Sequence, residues 1–322
     1  MSARDLVTRV LPCGALALVL ATAAAPEAGA VIIASGDGTG NTTAPDDDFG
    51  FANVGDAAQT AVYLGDGWVI TANHVALGPV ELAGVRYEAV PGSKIRMKNE
   101  GPGVSADLAL WRLEKPWPPL PPLRIRSTPV RVGEEVVLAG NGYERGEPVE
   151  IEGVAGWRWA ASQRLRWGTN RVAGFHPQLS LDRGTVTDAF SMEFDLVDAT
   201  PHEAQVAVGD SGGAVFTRRD GRWELAGVLF AANSYPGQPS GTALYGNVSL
   251  AADLAAYRDQ ILEVIGEREP APASCQNACG DGFALSLLVP VGLLAGRRRA
   301  TRRPRRAAPP PPSARRRPRP RP

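Results

Sequence analysis

The stretch VGDSGGAVF places Ser211 among three glycines, with Asp210 directly before it. Gly209, Gly212 and Gly213 can adopt backbone conformations that other residues resist, so neighbouring amide N–H groups can turn toward a single point. Amide N–H groups that converge beside a nucleophile stabilise the oxyanion of an acyl-transfer reaction. The pattern therefore predicts nucleophilic catalysis by Ser211, although a glycine-rich hairpin turn would explain the glycines alone.

A serine nucleophile needs a base, and the chain has three histidines: His74, His176 and His202. His74 lies at the end of the apolar run ITANHV, a setting that is also typical of a buried core histidine. The G-x-S-x-G spacing around Ser211 would suit an α/β-hydrolase, but that fold requires a histidine after the serine, and none follows. The order His, Asp, Ser is available, because Asp107 lies at the head of the apolar segment in SADLALWRLE.

Three segments together resemble the catalytic segments of trypsin-like serine peptidases, which have the chymotrypsin fold. TANHV, ADLAL and GDSGGAVF stand in the family's order and approximate spacing, and the resemblance covers about residues 31–266. It implies that Ser211 attacks the scissile carbonyl, that His74 is the general base, and that Asp107 orients the imidazole. It also implies an oxyanion hole formed by the N–H groups of Gly209 and Ser211.

The same resemblance implies a substrate pocket with Gln205 at its floor and Ala231 and Ala232 in its walls. Without an acidic residue at the floor, we do not expect a strong preference for Arg or Lys at the cleaved position. Glu203 is only two residues away, so a small change in the alignment would reverse this expectation.

Secreted zymogens of this family often bury a freed Ile or Val N-terminus against the aspartate that precedes the serine. Cleavage after Ala30 would free Val31 at the head of VIIASG, at a spacing from His74 that is comparable to the family's. The resemblance therefore implies activation by signal peptidase through a Val31–Asp210 ion pair. The alternative is that VIIA is simply a first β-strand, because a buried ion pair must offset its desolvation.

The elements that must position these residues are short strands. From Phe49 to Val248, β-branched and aromatic runs alternate with Gly, Pro, Asn and Asp. Asp-Gly pairs in YLGDGWV and TRRDGRW indicate hairpins. This pattern predicts an all-β sandwich or barrel pair. The family resemblance implies two packed antiparallel β-barrels with the active site in the cleft between them.

One segment, SLAADLAAYRDQILEVIGE, has helical periodicity and predicts a C-terminal α-helix that closes the domain. Ser249 is its predicted N-cap and Gly266 its predicted stop. The predicted apolar face consists of Leu250, Leu254, Tyr257, Ile261 and Ile265.

The formal net charge of the 322-residue chain is zero, but the charges are unevenly distributed. Twelve of the 34 basic residues lie beyond Gly296, where there is no acidic residue, which leaves 22 basic and 34 acidic residues before it. An acidic body argues against nucleic acid as a partner. We expect a protein or peptide substrate instead, and the composition leaves the oligomeric state open.

Residues 1–30 have the features of a secretory signal peptide. Arg4 and Arg9 precede an apolar run, and Ala28-Gly29-Ala30 provides a small-residue cleavage site. The chain is therefore expected to be exported. Residues 31–268 contain no cysteine, so no disulfide stabilises this part of the chain. The predicted peptidase domain, residues 31–268, must rely on its core for stability.

The C-terminal part is predicted to be a linker (269–280) followed by an apolar and Arg/Pro-rich tail (281–322). Its apolar stretch, Phe283–Ala295, would span roughly 20 Å as a helix, short of the ~30 Å hydrocarbon core of a membrane. The tail resembles Myxo-type C-terminal sorting signals, which implies processing near Cys279-Gly280 and anchoring of the body of the protein. The expected location is the cell surface, outer membrane or periplasm, with release from the cell as a further possibility. A disordered basic tail is the alternative.

Two further segments could bind ligands. Ser35–Asp48 (SGDGTGNTTAPDDD) offers oxygen ligands for calcium but lacks a recognisable loop pattern, so no metal or other cofactor is predicted. Gly156–Asn170 (GWRWAASQRLRWGTN) interleaves tryptophan with arginine, which suits either an exposed binding face or cross-strand packing.

Three functions therefore compete. The leading hypothesis is an exported, surface-attached serine endopeptidase. A non-catalytic binding or adhesion module with the same fold is the second. An esterase that uses the same chemistry on a different substrate is the third.

Overall fold

The computed structural model describes residues 31–99, 104–181 and 184–266. The predicted signal peptide (1–30), linker (269–280) and sorting tail (281–322) lie outside the described residues. Within the described part of the chain, no helix has the length and apolar character needed to cross a membrane.

The described residues form mostly strands. In chain order the elements are β1 (Ile32–Ile33), a 3-10 helix (Phe51–Asn53), β2 (Val54–Ala57), β3 (Gln59–Gly65), β4 (Trp68–Thr71), β5 (Val80–Leu82), β6 (Val85–Tyr87), β7 (Ile95–Lys98), β8 (Ser105–Arg112), β9 (Glu135–Gly140), β10 (Tyr143–Ile151), β11 (Val154–Gln163), β12 (Arg166–Ser180), β13 (Val186–Glu193), β14 (Ala204–Gln205), β15 (Ala214–Arg219), β16 (Arg222–Asn233), β17 (Thr242–Leu244), β18 (Val248–Asp253) and α1 (Leu254–Ile265).

The first half of the domain is a seven-stranded antiparallel sheet in the order β6–β5–β2–β3–β4–β8–β7. Its β3–β4 hairpin turns at Asp66-Gly67, where both residues have positive φ (47° and 79°). Two consecutive positive φ angles match the right-handed twist of the flanking strands. The hairpin predicted from YLGDGWV is therefore confirmed.

The second half is a closed six-stranded barrel in the order β12–β13–β18–β16–β15–β9. Its strands pair antiparallel, and β15 and β16 turn at Asp220-Gly221, with φ angles of 50° and 74°. This is the second hairpin predicted from an Asp-Gly pair. Together the barrel, the seven-stranded sheet and α1 confirm the predicted all-β fold with a C-terminal helix.

Two smaller sheets are attached to these halves. Strand β1 pairs with β14, so Ile32 lies opposite Gln205. Strands β10, β11 and β17 form a three-stranded sheet in which Trp159 stacks on Tyr143 with ring centroids 5.8 Å apart. Trp157 packs beneath the Arg145 guanidinium at 4.1 Å. The tryptophans of β11 thus pack against side chains of the neighbouring strand.

The helix begins later than the sequence pattern predicts. Ser249 and Leu250 belong to β18, which pairs with both β13 and β16, so the predicted N-cap at Ser249 is wrong. The N-cap is Asp253, whose carboxylate accepts a hydrogen bond from the Ala255 N–H at 3.0 Å. Gly266 ends the helix in the left-handed region (φ 79°), as predicted.

Loss of the Asp253 cap should destabilise the domain. We expect Asp253→Ala to lower the free energy of unfolding by about 1 kcal/mol, because the Ala255 N–H loses its acceptor. Asp253→Asn should retain most of the stability, since the amide oxygen can still cap. Urea unfolding measures both, with Asp259→Ala, an exposed position on the same helix, as the control. Equal losses in the Ala and Asn variants would contradict a capping role.

Candidate active site

His74 lies in a turn that follows strand β4. The Val75 N–H donates to the Ala72 carbonyl at 3.0 Å, which closes the turn. Asp107 lies near the start of β8, and β8 pairs with β4, so the strand pairing brings the carboxylate next to the turn. The backbone N–H of His74 donates to Asp107 Oδ1 at 3.0 Å, and His74 Nδ1 lies 2.8 Å from Asp107 Oδ2.

The two members of this pair differ in solvent exposure. The Asp107 side chain is 3% exposed and the His74 side chain 25% exposed. Asp107 is fixed by its own backbone N–H, which donates to Thr187 Oγ1 at 2.9 Å. A carboxylate facing Nδ1 favours the tautomer that carries its proton there, which leaves Nε2 as the basic nitrogen. The arrangement suits a general base that is held by a buried acid.

Ser211 lies in the loop between β14 and β15, and Gly212 packs this loop against the other half of the domain. Gly212 has φ 89°, and a Cβ there would overlap both the Thr60 carbonyl and the Thr71 hydroxyl. Thr71 ends β4, three residues before His74. The requirement for glycine thus reflects a close approach of the Ser211 loop to the end of β4, the strand that leads into the His74 turn.

Thr60 fastens this loop, although no sequence pattern predicted its role. Its N–H donates to the Ser211 carbonyl at 3.0 Å, and its hydroxyl donates to the Gly209 carbonyl at 2.8 Å. The same hydroxyl accepts from the Asn141 N–H at 2.8 Å. A threonine inside an apolar strand carries no local signal for this role, because its partners are distant in sequence.

The N–H groups of the predicted oxyanion hole, those of Gly209 and Ser211, differ from the carbonyls of the same residues in their hydrogen bonding. In the described part of the chain, the carbonyls of Gly209 and Ser211 accept hydrogen bonds, whereas their N–H groups donate to no other protein group. Gly209 has φ 102°, a conformation that favours glycine. Two amide donors are therefore available beside Ser211.

Asp210, the loop residue directly before Ser211, is fully buried. Its Oδ1 accepts from the Gly142 N–H at 2.8 Å and from the Val31 N–H at 3.3 Å, and its Oδ2 accepts from the Ala207 N–H at 2.8 Å. Burial raises the pKa of Asp210 to about 7, although these N–H groups and the more distant Arg166 oppose the change. The structure thus brings together the two residues of the predicted activation pair, with Val31 still in peptide linkage.

Arg145 holds the segment that follows Val31. Arg145 donates to the carbonyls of Ile33 (3.1 Å), Ala34 (2.7 Å) and Gly36 (2.7 Å). Val31 itself has φ 26°, an unfavourable backbone conformation for a β-branched residue. The surrounding contacts therefore determine where the first described residue lies.

A cavity of about 410 Å³ opens beside Ser211. Gln205, Ala231 and Ala232, the three predicted pocket residues, all line it. Further residues that the sequence did not predict also line it, among them Trp159, Phe230, Gln238 and Thr242. Trp159 reaches the cavity because β11 pairs with β17, a long-range contact without a local sequence signal.

The polar groups of this cavity are uncharged. Gln205 Oε1 accepts from the Ser249 hydroxyl at 3.0 Å, and that hydroxyl accepts from the Val206 N–H at 3.1 Å. Glu203 does not line the cavity; its carboxylate accepts from the N–H and hydroxyl of Thr200 at 2.8 and 2.7 Å. The Glu203 carboxylate therefore points away from this cavity, toward Thr200.

Residues 59–228, more than half of the chain, match the family model described as a trypsin-like peptidase domain. The comparison with curated proteins found no match. Among solved structures, the inactive form of the Rv3671c protease of M. tuberculosis is similar, with 18% identity and a TM-score of 0.42 over 67% of this chain and 90% of that one. The active form gives 18% identity and a TM-score of 0.40 over 68% of this chain and 81% of that one. The chain belongs to the trypsin-like peptidase domain family.

Proposed function

We propose that the protein is a serine endopeptidase that is exported and attached to the cell surface through its C-terminal tail. The carrying observation is the buried Asp107 carboxylate on Nδ1 of His74, in a turn that follows the strand end against which the Ser211 loop packs. A buried acid, a partly exposed imidazole and a serine beside a cavity are the components of acyl transfer to serine. The predicted export and attachment rest on segments outside the described residues.

In the proposed reaction, Ser211 Oγ attacks the scissile carbonyl while His74 Nε2 takes the hydroxyl proton. The carbonyl oxygen becomes an oxyanion that accepts hydrogen bonds from the N–H groups of Gly209 and Ser211. The C–N bond then breaks, and the imidazolium returns the proton to the leaving amine. Water, deprotonated by His74, hydrolyses the acyl-enzyme and restores the Ser211 hydroxyl. Asp107 stabilises the imidazolium in both halves.

A fluorophosphonate probe tests this assignment directly. We expect the chain that begins at Val31 to be labelled on Ser211, and Ser211→Ala to abolish labelling. Asp107→Asn should lower kcat on a peptide substrate by about a thousandfold or more, because the imidazole loses the acceptor that fixes its tautomer. Comparing peptide with simple ester turnover distinguishes a peptidase from an esterase.

Ser191→Ala serves as the control, since this buried serine lies in β13 and does not line the cavity beside Ser211. It should be labelled like the parent. If the probe labels neither the full chain nor the chain that begins at Val31, although both are folded, the result would contradict the proposal and favour a non-catalytic binding or adhesion module.

We further propose that removal of residues 1–30 activates the enzyme. Val31 N lies 3.3 Å from Asp210 Oδ1 while it is still a peptide nitrogen. Cleavage after Ala30 would convert this neutral donor into an ammonium beside a buried carboxylate. The resulting ion pair would offset the desolvation of Asp210 and hold the loop that carries Gly209 and Ser211.

The pH dependence of stability should differ between the two forms. With residues 1–30 attached, Asp210 has a pKa of about 7 when folded, against about 3.9 in an unfolded chain. Between about pH 4 and pH 7, folded Asp210 retains a proton that the unfolded state has lost, so the free energy of unfolding falls as pH rises. In the chain that begins at Val31, the ammonium should lower this pKa and remove the fall.

Urea unfolding between pH 4 and pH 8 measures the free energy of unfolding of the chain with residues 1–30 and of the chain that begins at Val31. Asp210→Asn, which cannot ionise, should remove the Asp210 contribution from the longer form. A chain with one alanine added before Val31 should behave like the longer form and react slowly with the fluorophosphonate. Equal labelling of the extended chain and the chain that begins at Val31 would show that Val31 is only the start of a first strand.

The uncharged cavity predicts cleavage after uncharged side chains. Burying an unpaired Arg or Lys beside Gln205 would cost its desolvation, so we expect uncharged residues at the cleaved position to be favoured by about tenfold or more in kcat/KM. Gln205→Asp should increase kcat/KM for Arg and Lys substrates, because the new carboxylate can pair with the cation. A peptide library that varies the cleaved position measures this, with Gln205→Leu as the uncharged control. A parent that already prefers Arg or Lys would contradict the assignment of Gln205 to the pocket floor.

A further inference from the structure

Lys94 is a charged residue that the proposed reaction does not use, although it lies against the turn that carries His74. Its ammonium donates to two backbone carbonyls, that of Asn73 at 2.6 Å and that of Val75 at 2.5 Å. These two residues flank His74 in the sequence. One side chain therefore holds the backbone on both sides of the proposed base.

The contact with Asn73 holds the peptide group that joins Asn73 to His74. The Asn73 carbonyl and the His74 N–H belong to the same trans peptide group, so they point in opposite directions. The His74 N–H donates to the Asp107 carboxylate, and the Asn73 carbonyl accepts from the Lys94 ammonium. Opposite charges thus hold the two polar ends of one peptide group, and charge-assisted hydrogen bonds are stronger than neutral ones.

The position of Lys94 is itself well determined. Ser93 donates to the Val90 carbonyl at 2.7 Å and accepts from the Arg112 N–H at 3.1 Å, which ties the preceding residue to strand β8. Strand β7, which begins directly after Lys94, also pairs with β8. Asp107 lies on that same strand, so both charges that hold the turn are attached to β8.

The environment of Lys94 suits such a contact. Burial lowers the pKa of the Lys94 ammonium, the nearby Arg96 adds to this effect, and Asp107 opposes it. A half-buried ammonium that has lost part of its hydration gains more from carbonyl acceptors than an exposed one. Residues 31–268 contain no cysteine, so no disulfide fixes the His74 turn.

We propose that Lys94 is a positioning residue for catalysis: together with Asp107 it holds the Asn73–His74 peptide group, and thereby the imidazole, in its reactive orientation. The inference rests on the proposed role of His74 as general base. Lys94 takes no proton from the substrate and acts through the backbone of His74.

Lys94→Met tests the proposal in the chain from Val31 to Pro322, because methionine keeps most of the apolar stem and removes the ammonium. We expect kcat on a peptide substrate to fall by about tenfold or more, with KM within about twofold, since a misplaced base slows the chemical step without changing the pocket. The rate of fluorophosphonate labelling of Ser211 should fall in parallel.

Two further variants separate positioning from general stability. Lys94→Arg, whose guanidinium can also donate to two carbonyls, should recover most of the lost kcat. Lys98→Met removes an exposed ammonium from strand β7 and should leave kcat unchanged. Wild-type kcat in Lys94→Met, or equal losses in Lys94→Met and Lys94→Arg at equal thermal stability, would overturn the proposal.

Amide hydrogen exchange gives a readout that does not depend on turnover. The His74 N–H should exchange faster in Lys94→Met than in the parent and in Lys98→Met, because its peptide group is no longer held at the carbonyl end. Unchanged exchange would overturn the proposed restraint of the Asn73–His74 peptide group by Lys94, even in an inactive protein. Conversely, a parent without Ser211 labelling but with this exchange difference would contradict the proposed function and still support the restraint by Lys94.

Discussion

The site depends on the hydrogen bonds of one buried residue, Thr60, because the proposed catalytic residues come from two different sheets. His74 follows one strand of the seven-stranded sheet and Asp107 lies in another, whereas Ser211 precedes the first strand of the hairpin that enters the barrel. Thr60 bonds to the carbonyls of Gly209 and Ser211, and its own carbonyl accepts from the Thr71 hydroxyl at 2.7 Å. Because these groups are buried, leaving any of them unpaired would cost more than the bond itself contributes.

Two buried aspartates illustrate how similar burial can serve different purposes. Asp107 and Asp210 both accept backbone N–H groups, which satisfies carboxylate oxygens that water cannot reach. Asp107 also faces the ring of His74, so its charge is available to a group that gains a proton during the proposed reaction. Asp210 accepts hydrogen bonds from the N–H groups of Val31, Gly142 and Ala207, so in the proposed activation its charge would bear on whether the serine loop is held.

The three-stranded sheet connects the N-terminal segment with the cavity. Arg145, on β10, binds the carbonyls of the residues that follow Val31 and stacks on Trp157 of the neighbouring strand. Trp159, two residues further along β11, lines the cavity beside Ser211. The same hairpin therefore contacts both the segment that positions Val31 and the wall of the proposed substrate pocket.

The sequence by itself determined the class of fold, and it supplied the residues on which the proposed chemistry rests. Short strands, two Asp-Gly hairpins and the spacing of His74, Asp107 and Ser211 are local patterns, so they could be read without knowledge of long-range contacts. The pocket residues Gln205, Ala231 and Ala232 followed only from the family resemblance. The start of the helix was misplaced because strand pairing to β13 and β16 extends β18 through Ser249, which overrides the local preference for a cap.

Only the tertiary structure decided which distant groups meet. It directed the Glu203 carboxylate toward Thr200 and away from the cavity, and it brought Trp159 into the cavity wall. It also placed the Lys94 ammonium on the carbonyls beside His74 and Thr60 on the serine loop. Such contacts join residues that are far apart in the chain, and their energy depends on burial and on hydrogen-bond geometry. Neither property is encoded in any short stretch of sequence, which is why these positions carried no signal.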